Sequence, residues 1–483
     1  MERLERWLSQ VAPVWALKRA QARAQLDVVR NYEASTDSHL RRRVRDLGGG
    51  NALMDRSQVK LRDWARHLSR DVSTAAAIIR NLSSRTMSCH VVPAVEDRAG
   101  NLLEQVNEDL TELWAEWSDA AETTGLLDWS SLCQLIGDSW YRDGEIFSYR
   151  MLGSGRFPYR TRVPLVLQVL ESDYLPISDG IAHSSGLHGM ERGRAGNVTH
   201  YHFYREHPND AVSGFNLAGL ETIRLPIDLV DSLALRSRAG QLRGHSILAP
   251  VITTLADRND YKTAEVTSAK FAACIGIAIE RSVDPAGGGF AASTLTDERV
   301  FNYEPGMTFD GLPGESVKML QADRPSQQFA PFLRELTREA AIGTGASYST
   351  ISADYSGTYS SQRQMMLEVD QFHRQMQRVA IARFHRPVWR AFVQGAMLAG
   401  LVPQLSRIDP RTLLRADFVP EPLPWIDPQK EGQALKLAQD EGWESRWGII
   451  RRRGGDVRRI DREIDRDDYR AQAYPVPGDA QAA

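Results

Sequence analysis

The chain has 483 residues, 42% hydrophobic and 25% charged, a composition that fits a folded protein and excludes disordered, collagen-like and disulfide-rich chains. Lys and Arg number 59 against 62 Asp and Glu, so the chain lacks the basic excess of a protein that wraps nucleic acid. Cys89, Cys133 and Cys274 have no metal-binding spacing, which predicts a reducing compartment and no structural zinc. The longest apolar run, residues 271–279, is too short to cross a membrane, so we expect no membrane association.

The first half of the chain predicts helices followed by an antiparallel β region. Apolar residues recur at helical spacing over residues 58–85 and in two helices between residues 101 and 142. Residues 101–145 contain eleven acidic residues and one arginine, so the outer faces of these two helices should be strongly negative. Runs of β-branched and aromatic residues predict strands at residues 146–151, 164–170, 200–204 and 229–235.

The second half predicts a helical hairpin around a small β module. The first helix should run from residue 246 or 250 to about residue 281, and the second over residues 327–341. The module between them, residues 285–325, is rich in glycine and proline and has strand signals at residues 300–303 and 316–320.

Further helices are predicted toward the C-terminal end. One should cover residues 361–399 with a kink at Pro387, and three more should begin at Asp427, Ser445 and Asp456, which are good N-cap residues. The predicted fold class is therefore α+β, predominantly α-helical.

Residues 344–360, which we call the hydroxyl-rich segment, separate two of the predicted helices. Eleven of these 17 residues carry a hydroxyl group, and Asp354 is the only charged one. Such a segment fits neither a hydrophobic core nor an ordinary charged surface loop, so it requires a functional explanation.

Sequence signatures of catalysis are absent. There is no GxxxxGK[ST] phosphate-binding loop, no HExxH and no GxSxG in the sequence. His200, His202 and His207 form a weak candidate metal site, but no carboxylate or cysteine has a supporting spacing, so we favour ordinary surface or core histidines. The paired carboxylates of Asp143-Gly144-Glu145 are more typical of a turn. We expect no enzymatic activity, no cofactor and no metal.

Several short phrases, in order along most of the chain, resemble the lambda-like family of tailed-bacteriophage portal proteins. Those in the first two thirds are residues 32–34, 41–42, 61–66, 143–145, 238–244, 248–250 and 312–318. The most specific are Asp354-Tyr355-Ser356 with residues 359–363, and residues 425–431. The chain departs from the family pattern at residues 85–93, where the family commonly has a glycine-containing turn, and in the loop before Asp354.

The resemblance implies a portal fold with wing, stem, clip and crown regions, assembled as a ring, usually of twelve subunits. The implied regions are residues 1–245 for the N-terminal region and wing, 246–284 for the first stem helix, 285–325 for the clip, 326–343 for the second stem helix, 344–360 for the tunnel loop, 361–427 for the kinked wing helix and its connection, and 428–483 for the crown and C-terminal tail.

The resemblance also implies a function and its partners. The ring would lie at one capsid vertex of the virion, after assembly in the host cytoplasm, and double-stranded DNA would pass through it during packaging and ejection without sequence preference. The implied protein partners are the terminase large subunit, a major capsid or scaffolding protein, and a head-tail connector protein. In the clip, Glu315 and Lys318 are the expected contacts for the terminase and later the connector.

As a tunnel loop, the hydroxyl-rich segment has a physical explanation. A channel through which DNA slides must not hold it tightly, and each phosphate–lysine contact would add salt-dependent affinity. Hydroxyl groups contact phosphates weakly, and Asp354 repels them. The expected channel residues are Ser347, Tyr348, Ser349, Ser352, Asp354, Tyr355, Ser356 and Tyr359.

Two other interpretations compete with this one. The hydroxyl-rich segment could be the lid of an enzyme or adaptor built on a helical hairpin, but that would need a convergent acid–base pair nearby. The chain could also be a head-tail adaptor, which would form a ring with a DNA channel but would not dock the packaging motor. The length of the chain favours the portal, because adaptors rarely need wing, long stem and crown together.

Overall fold

The computed structural model describes residues 48–153, 157–177, 186–210, 221–273, 276–281, 315–320, 328–403, 406–421, 427–453, 455 and 457–465. The chain divides into two units, Met1–Leu53 and Met54–Ala483, and the second carries the features discussed in the following sections. The family-like phrases before residue 48, the predicted strand at residues 300–303, most of the module 285–325 and the predicted N-cap Asp456 lie outside the described residues.

The helices confirm most of the predicted ones. In chain order they are α1 Gly50–Asp71, α2 Ser73–Met87, α3 Glu104–Ser118, α4 Trp129–Asp143, α5 Ile252–Ala273, α6 Phe329–Thr344, α7 Tyr348–Ser352, α8 Tyr359–Ala380, α9 Arg386–Leu398, α10 Pro428–Asp440, α11 Arg446–Arg452 and α12 Val457–Asp465. The Asp427 carboxylate accepts a hydrogen bond from the Lys430 amide at 3.2 Å and the Ser445 hydroxyl one from the Gly448 amide at 3.0 Å, so both act as the predicted N-caps.

The strands of the described residues form four antiparallel groups. They are β1 Cys89–Pro93, β2 Glu145–Leu152, β3 Leu165–Glu171, β4 Gly186–Leu187, β5 Met190–Arg192, β6 Val198–Tyr204, β7 Thr222–Pro226, β8 Val230–Ala234, β9 Gly276–Arg281, β10 Glu315–Leu320 and β11 Ala416–Pro420. Their order is β3-β2-β8 and β4-β5-β6-β7 in the two larger sheets, with β1-β11 and β9-β10 as separate pairs. The four strands predicted in the first half are confirmed as β2, β3, β6 and β8.

Two predicted helix boundaries were wrong. The helix predicted over residues 58–85 is two helices, because Val72 has an extended backbone (φ -115°, ψ 110°) between α1 and α2. The long helix predicted to reach residue 281 ends at Ala273, and Gly276–Arg281 is instead strand β9, paired with β10. Its alternating β-branched residues satisfy their backbone groups by this long-range pairing, which overrides the helical pattern.

The kink predicted at Pro387 is a short π-helix just before that proline. Residues Ile381–His385 are π-helical between α8 and α9, and Pro387 lies in the first turn of α9. Proline cannot donate a backbone hydrogen bond to the preceding turn, so a widened turn at this point is expected.

The main core is shared by helices from both ends of the chain. Trp117 of α3, Trp129 of α4 and Trp389 and Phe392 of α9 are all buried there, with Trp114 packed among them. The Trp117 indole donates a hydrogen bond to the Leu165 carbonyl at 2.8 Å, which joins α3 to β3. A second core lies between the two larger sheets and contains Phe147, Leu170, Tyr201, Phe203, Leu225 and Val230. No helix in the described ranges is long and apolar enough to cross a lipid bilayer.

Candidate functional site

The hydroxyl-rich segment begins where α6 ends. Gly345 has a left-handed backbone (φ +71°), and the Phe372 ring of α8 is packed so closely that a Cβ on Gly345 would lie 2.8 Å from it. Glycine is therefore required both by the backbone angle and by the space available. This turn directs the chain into the short helix α7.

The first part of the segment is folded against the protein. The Ser347 hydroxyl accepts a hydrogen bond from the Thr350 amide and so caps α7, and it lies 3.2 Å from the Ser349 hydroxyl. Both serines are buried. Among the expected channel residues, Ser347 and Ser349 therefore have a local structural role and do not present their hydroxyl groups on the surface of the subunit.

Asp354 organises the second part of the segment. Its carboxylate accepts hydrogen bonds from the Ser356 hydroxyl at 2.6 Å, from the Ser356 amide at 3.2 Å and from the Tyr348 hydroxyl at 3.1 Å. The Arg334 guanidinium of α6 lies 3.8 Å away. The hydrogen bonds from Ser356, then that from Tyr348, hold the pKa of this carboxyl below its ordinary value, so Asp354 is charged at neutral pH.

The remaining expected residues are on the surface. Tyr355 is 66% exposed, and Ser352, Ser356 and Tyr359 are exposed as well. The Lys430 ammonium of α10 lies 5.8 Å from the centre of the Tyr359 ring. Within the hydroxyl-rich segment, Thr350, Ser352 and residues 355–360 are thus exposed and available to contact a molecule outside the subunit.

For Glu315 and Lys318 the structure gives the register within the strand pair. Both are in β10, where Glu315 is opposite Arg281 and Lys318 is opposite Ala278 of β9. Two residues separate the end of α5 from strand β9, and β10 lies within residues 285–325, the segment predicted to be the clip.

The Asp143-Gly144-Glu145 phrase and the Arg243-Gly244 phrase, 98 residues apart, form one buried cluster. Glu145 Oε1 accepts a hydrogen bond from Arg243 Nε at 2.7 Å, and Oε2 accepts one from the Gly244 amide at 2.8 Å. Both side chains of this pair are fully buried. Burial raises the pKa of Glu145, but the charge and hydrogen bonds of Arg243 outweigh it, and the net pKa lies below the ordinary value.

Asp143, the other carboxylate of that phrase, is equally occupied. Arg66 of α1 forms a bidentate pair with it at 3.0 and 2.8 Å, and Arg142 binds it at 2.9 Å. Arg66 also contacts Asp173 at 2.6 Å. Carboxylates bound in this way by several cations are not free to act as acid or base, so the cluster joins α1, α4 and β2 structurally.

Two groups of histidines and acids resemble metal sites but are held by arginines. Glu191 of β5, which sequence spacing did not reveal, contacts His200 Nδ1 at 3.2 Å and His202 Nε2 at 2.7 Å, but Arg224 binds the same carboxylate at 2.8 and 2.9 Å.

The second group is Glu171, Asp173 and His207, whose potential ligand atoms lie within 4.8 Å of one another. Arg66 contacts the first two at 3.1 and 2.6 Å. Neither group offers the free carboxylates that a cation requires.

The family of the chain follows from comparison with known sequences. The model of the family "phage portal protein, lambda family" matches residues 36–377, well over half of the chain. The chain belongs to the lambda family of phage portal proteins. A curated relative, the "probable portal protein" of Halomonas phage phiHAP-1, is 24% identical over 457 residues, covering 89% of this chain and 84% of the relative.

Solved structures similar to this portal protein come from gene transfer agent (GTA) particles. The neck of the native GTA particle, computed with C12 symmetry, shares 13% identity over 79% of this chain and 89% of the other, with a TM-score of 0.44. The neck of the empty GTA particle, computed with C6 symmetry, also has 13% identity, over 79% and 90% of the two chains, with a TM-score of 0.48.

Proposed function

We propose that this portal protein forms a ring-shaped channel at one capsid vertex of the virion, through which double-stranded DNA is packaged and later ejected. Membership of the lambda portal family, carried by the match over residues 36–377, is the observation that supports it. The ring would assemble in the host cytoplasm, usually from twelve subunits, together with a major capsid or scaffolding protein.

The helical hairpin of α5 and α6 supports the ring and the assignment of these helices to the stem. Tyr261 of α5 packs against Phe329 and Phe332 of α6, with ring centres 5.7 and 5.1 Å apart. Phe332 is nevertheless 49% exposed and Ile342 of α6 is 84% exposed. Large apolar side chains left exposed on a hairpin are typical of an interface, and identical subunits joined head to tail form a ring when the rotation between neighbours closes.

The exposed part of the hydroxyl-rich segment supports its assignment as the tunnel loop. Ser352, Tyr355, Ser356 and Tyr359 offer hydroxyl groups on the surface, and Asp354 beside them is charged. These groups can contact a sliding phosphate backbone only weakly, whereas lysine contacts would slow it. We propose these five residues as the channel lining, without the buried Ser347 and Ser349 and without Tyr348, whose hydroxyl donates a hydrogen bond to Asp354.

The absence of any phosphate-binding loop motif in the sequence means that the force for packaging must come from a partner. We propose that the clip, with Glu315 and Lys318 in β10, binds the terminase large subunit during packaging and the head-tail connector afterwards. An adaptor ring would share the channel but not the terminase contact.

The first test is the mass and shape of the purified protein. Light scattering and negative-stain images viewed down the symmetry axis should show closed rings with a central hole. A single monomeric species at micromolar concentration and moderate salt would contradict the proposal. Binding of the purified terminase large subunit to the ring separates the portal from an adaptor ring, which would not bind it.

A further inference from the structure

Helices α3 and α9 pack against each other through their apolar sides. Trp114 of α3 lies with its ring centre 5.3 Å from that of Trp389 and 5.0 Å from that of Phe392, both in α9. The residues of each helix that face solvent are on the side opposite this contact, as expected for amphipathic helices. The two solvent faces therefore point away from each other.

The solvent face of α3 is acidic. Glu104 and Glu112 of this helix and Asp119, its C-cap, are exposed and lie on one side at helical spacing. Arg162 pairs with the neighbouring Glu116 and its charge also acts on Glu112. Among the described residues, no Lys, Arg or His side chain lies within ion-pair distance of any of the three. We call these three residues the acidic face.

The solvent face of α9, continued into the π-helix and α8, is basic. Arg378, Arg383, Arg386 and Arg390 are all exposed, and no described carboxylate pairs with them. No Asp or Glu occurs in the sequence between Asp370 and Asp409, so the helix itself supplies no counter-charge there. We call these four residues the arginine face.

The basic surface extends beyond these four residues. Arg374 and Arg378 line a groove of about 540 Å³ together with Arg451, Arg452 and Arg453 of the tail helices. Most of these groove arginines already have partners, because Arg374 pairs with Asp370, Arg451 with Asp417 and Arg452 with Glu444. The single-sign patch that attracts a partner of the opposite charge is therefore the arginine face itself.

We infer that the acidic face of one subunit docks against the arginine face of the next subunit in the ring. This inference rests on the proposed ring. Within one subunit the faces cannot neutralise each other because they lie on opposite sides of a shared apolar contact. In a head-to-tail ring every subunit presents each face to one neighbour, so every acidic face can pair with an arginine face. Contacts between two faces of the same charge repel, which disfavours other arrangements of the subunits.

The test is a charge exchange in the full-length protein. The acid-reversed variant carries Glu104→Lys and Glu112→Lys, and the arginine-reversed variant carries Arg386→Glu and Arg390→Glu. A matched control, Asp440→Lys with Glu441→Lys at the exposed end of α10, makes the same charge change as the acid-reversed variant away from both faces. Circular dichroism checks folding, and light scattering with electron microscopy measures rings.

We expect each reversed variant to be a folded species with at least tenfold fewer rings than wild type, and the control to form rings normally. Both changes combined in one chain should restore rings. An equal mixture of the two reversed variants should also restore them, because alternating subunits then present opposite charges at every interface. Higher salt should weaken these effects.

The results that would contradict this pairing of faces differ from those that would contradict the proposed function. If both reversed variants form rings as wild type does, or if neither the combined chain nor the mixture restores them, the faces do not pair. If the arginine-reversed variant forms normal rings but packages less DNA, the arginine face contacts nucleic acid instead, and the inference is wrong. If wild type itself forms no ring, the proposed function fails and takes this inference with it.

Discussion

Gly144 and Gly244 lie back to back where two distant segments cross. A Cβ on Gly244 would lie 2.1 Å from the carbonyl oxygen of Gly144, and a Cβ on Gly144 would lie 2.1 Å from the carbonyl carbon of His245. Gly144 also has a left-handed backbone (φ +88°). Only glycine allows this close approach, which brings the Gly244 amide within hydrogen-bonding distance of Glu145.

Gly244→Ala should therefore destabilise the subunit. The new methyl group meets backbone rather than a movable side chain, so we expect a loss of about 1–3 kcal/mol in the free energy of unfolding, measured by urea denaturation. Gly432→Ala in α10 is the control, because nothing lies within 4 Å of its Cβ position and alanine favours helix by up to about 1 kcal/mol. Equal stability of the two variants would contradict the close crossing.

Removing the Glu145 charge should destabilise the subunit more than Gly244→Ala does. Glu145→Gln leaves the Arg243 guanidinium buried without its counter-ion, and breaking a buried pair in this way costs about 3–5 kcal/mol in unfolding free energy. Glu116→Gln breaks the ion pair with Arg162, which is on the surface, and should change stability far less. Urea denaturation midpoints compare the two variants directly. Similar losses of stability would mean that the buried pair stabilises the subunit no more than the surface pair does.

Stability should fall as the pH drops from 6.5 toward 4, partly because of His385. This residue is fully buried, and burial lowers its pKa from 6.5 to about 4. Below pH 6.5 the unfolded chain takes up a proton that the folded chain does not, so acidification favours unfolding. The full shift corresponds to about 3 kcal/mol. In His385→Phe, the urea midpoint should depend less steeply on pH between 6.5 and 4.5 than in wild type, and an unchanged slope would contradict the buried neutral histidine.

Charge reversal in the proposed clip should weaken partner binding and leave ring assembly unaffected. Glu315→Lys and Lys318→Glu, singly and together, should keep ring formation but weaken terminase binding and tail attachment several-fold, because each change places like charges at the proposed contact. Pull-down of the terminase large subunit by purified rings and counts of tailed particles measure the two steps. If neither step changes in any of the three variants, these residues are not the contact.

Local patterns predicted much of the fold because local chemistry decides those features. Contacts within one or two helical turns decide whether Asp427 and Ser445 cap their helices. The same holds for the widened turn before Pro387. The end of α5 was missed because Gly276–Arg281 finds its partner strand about 40 residues away, beyond any local pattern.

The candidate sites were also predictable only where they depend on residues close together in the sequence. The composition of the hydroxyl-rich segment was visible in the sequence, but the burial of Ser347 and Ser349 depends on packing against the rest of the subunit. Glu191 faces His200 and His202 only through the register of β5 with β6. The partnership of Glu145 with Arg243 joins residues 98 positions apart, so the Asp143-Gly144-Glu145 phrase looked like a simple turn.

The amount of DNA packaged per particle shows whether the exposed surface of the hydroxyl-rich segment lines the DNA channel. Ser352→Lys with Tyr355→Lys adds two cations at exposed positions without touching the core, so rings should form normally but packaging should slow or stop, with partial recovery as salt rises. Ser352→Ala with Tyr355→Ala is the control and should package close to the wild-type amount. Equal packaging by the lysine variant and wild type would show that this segment does not face the DNA.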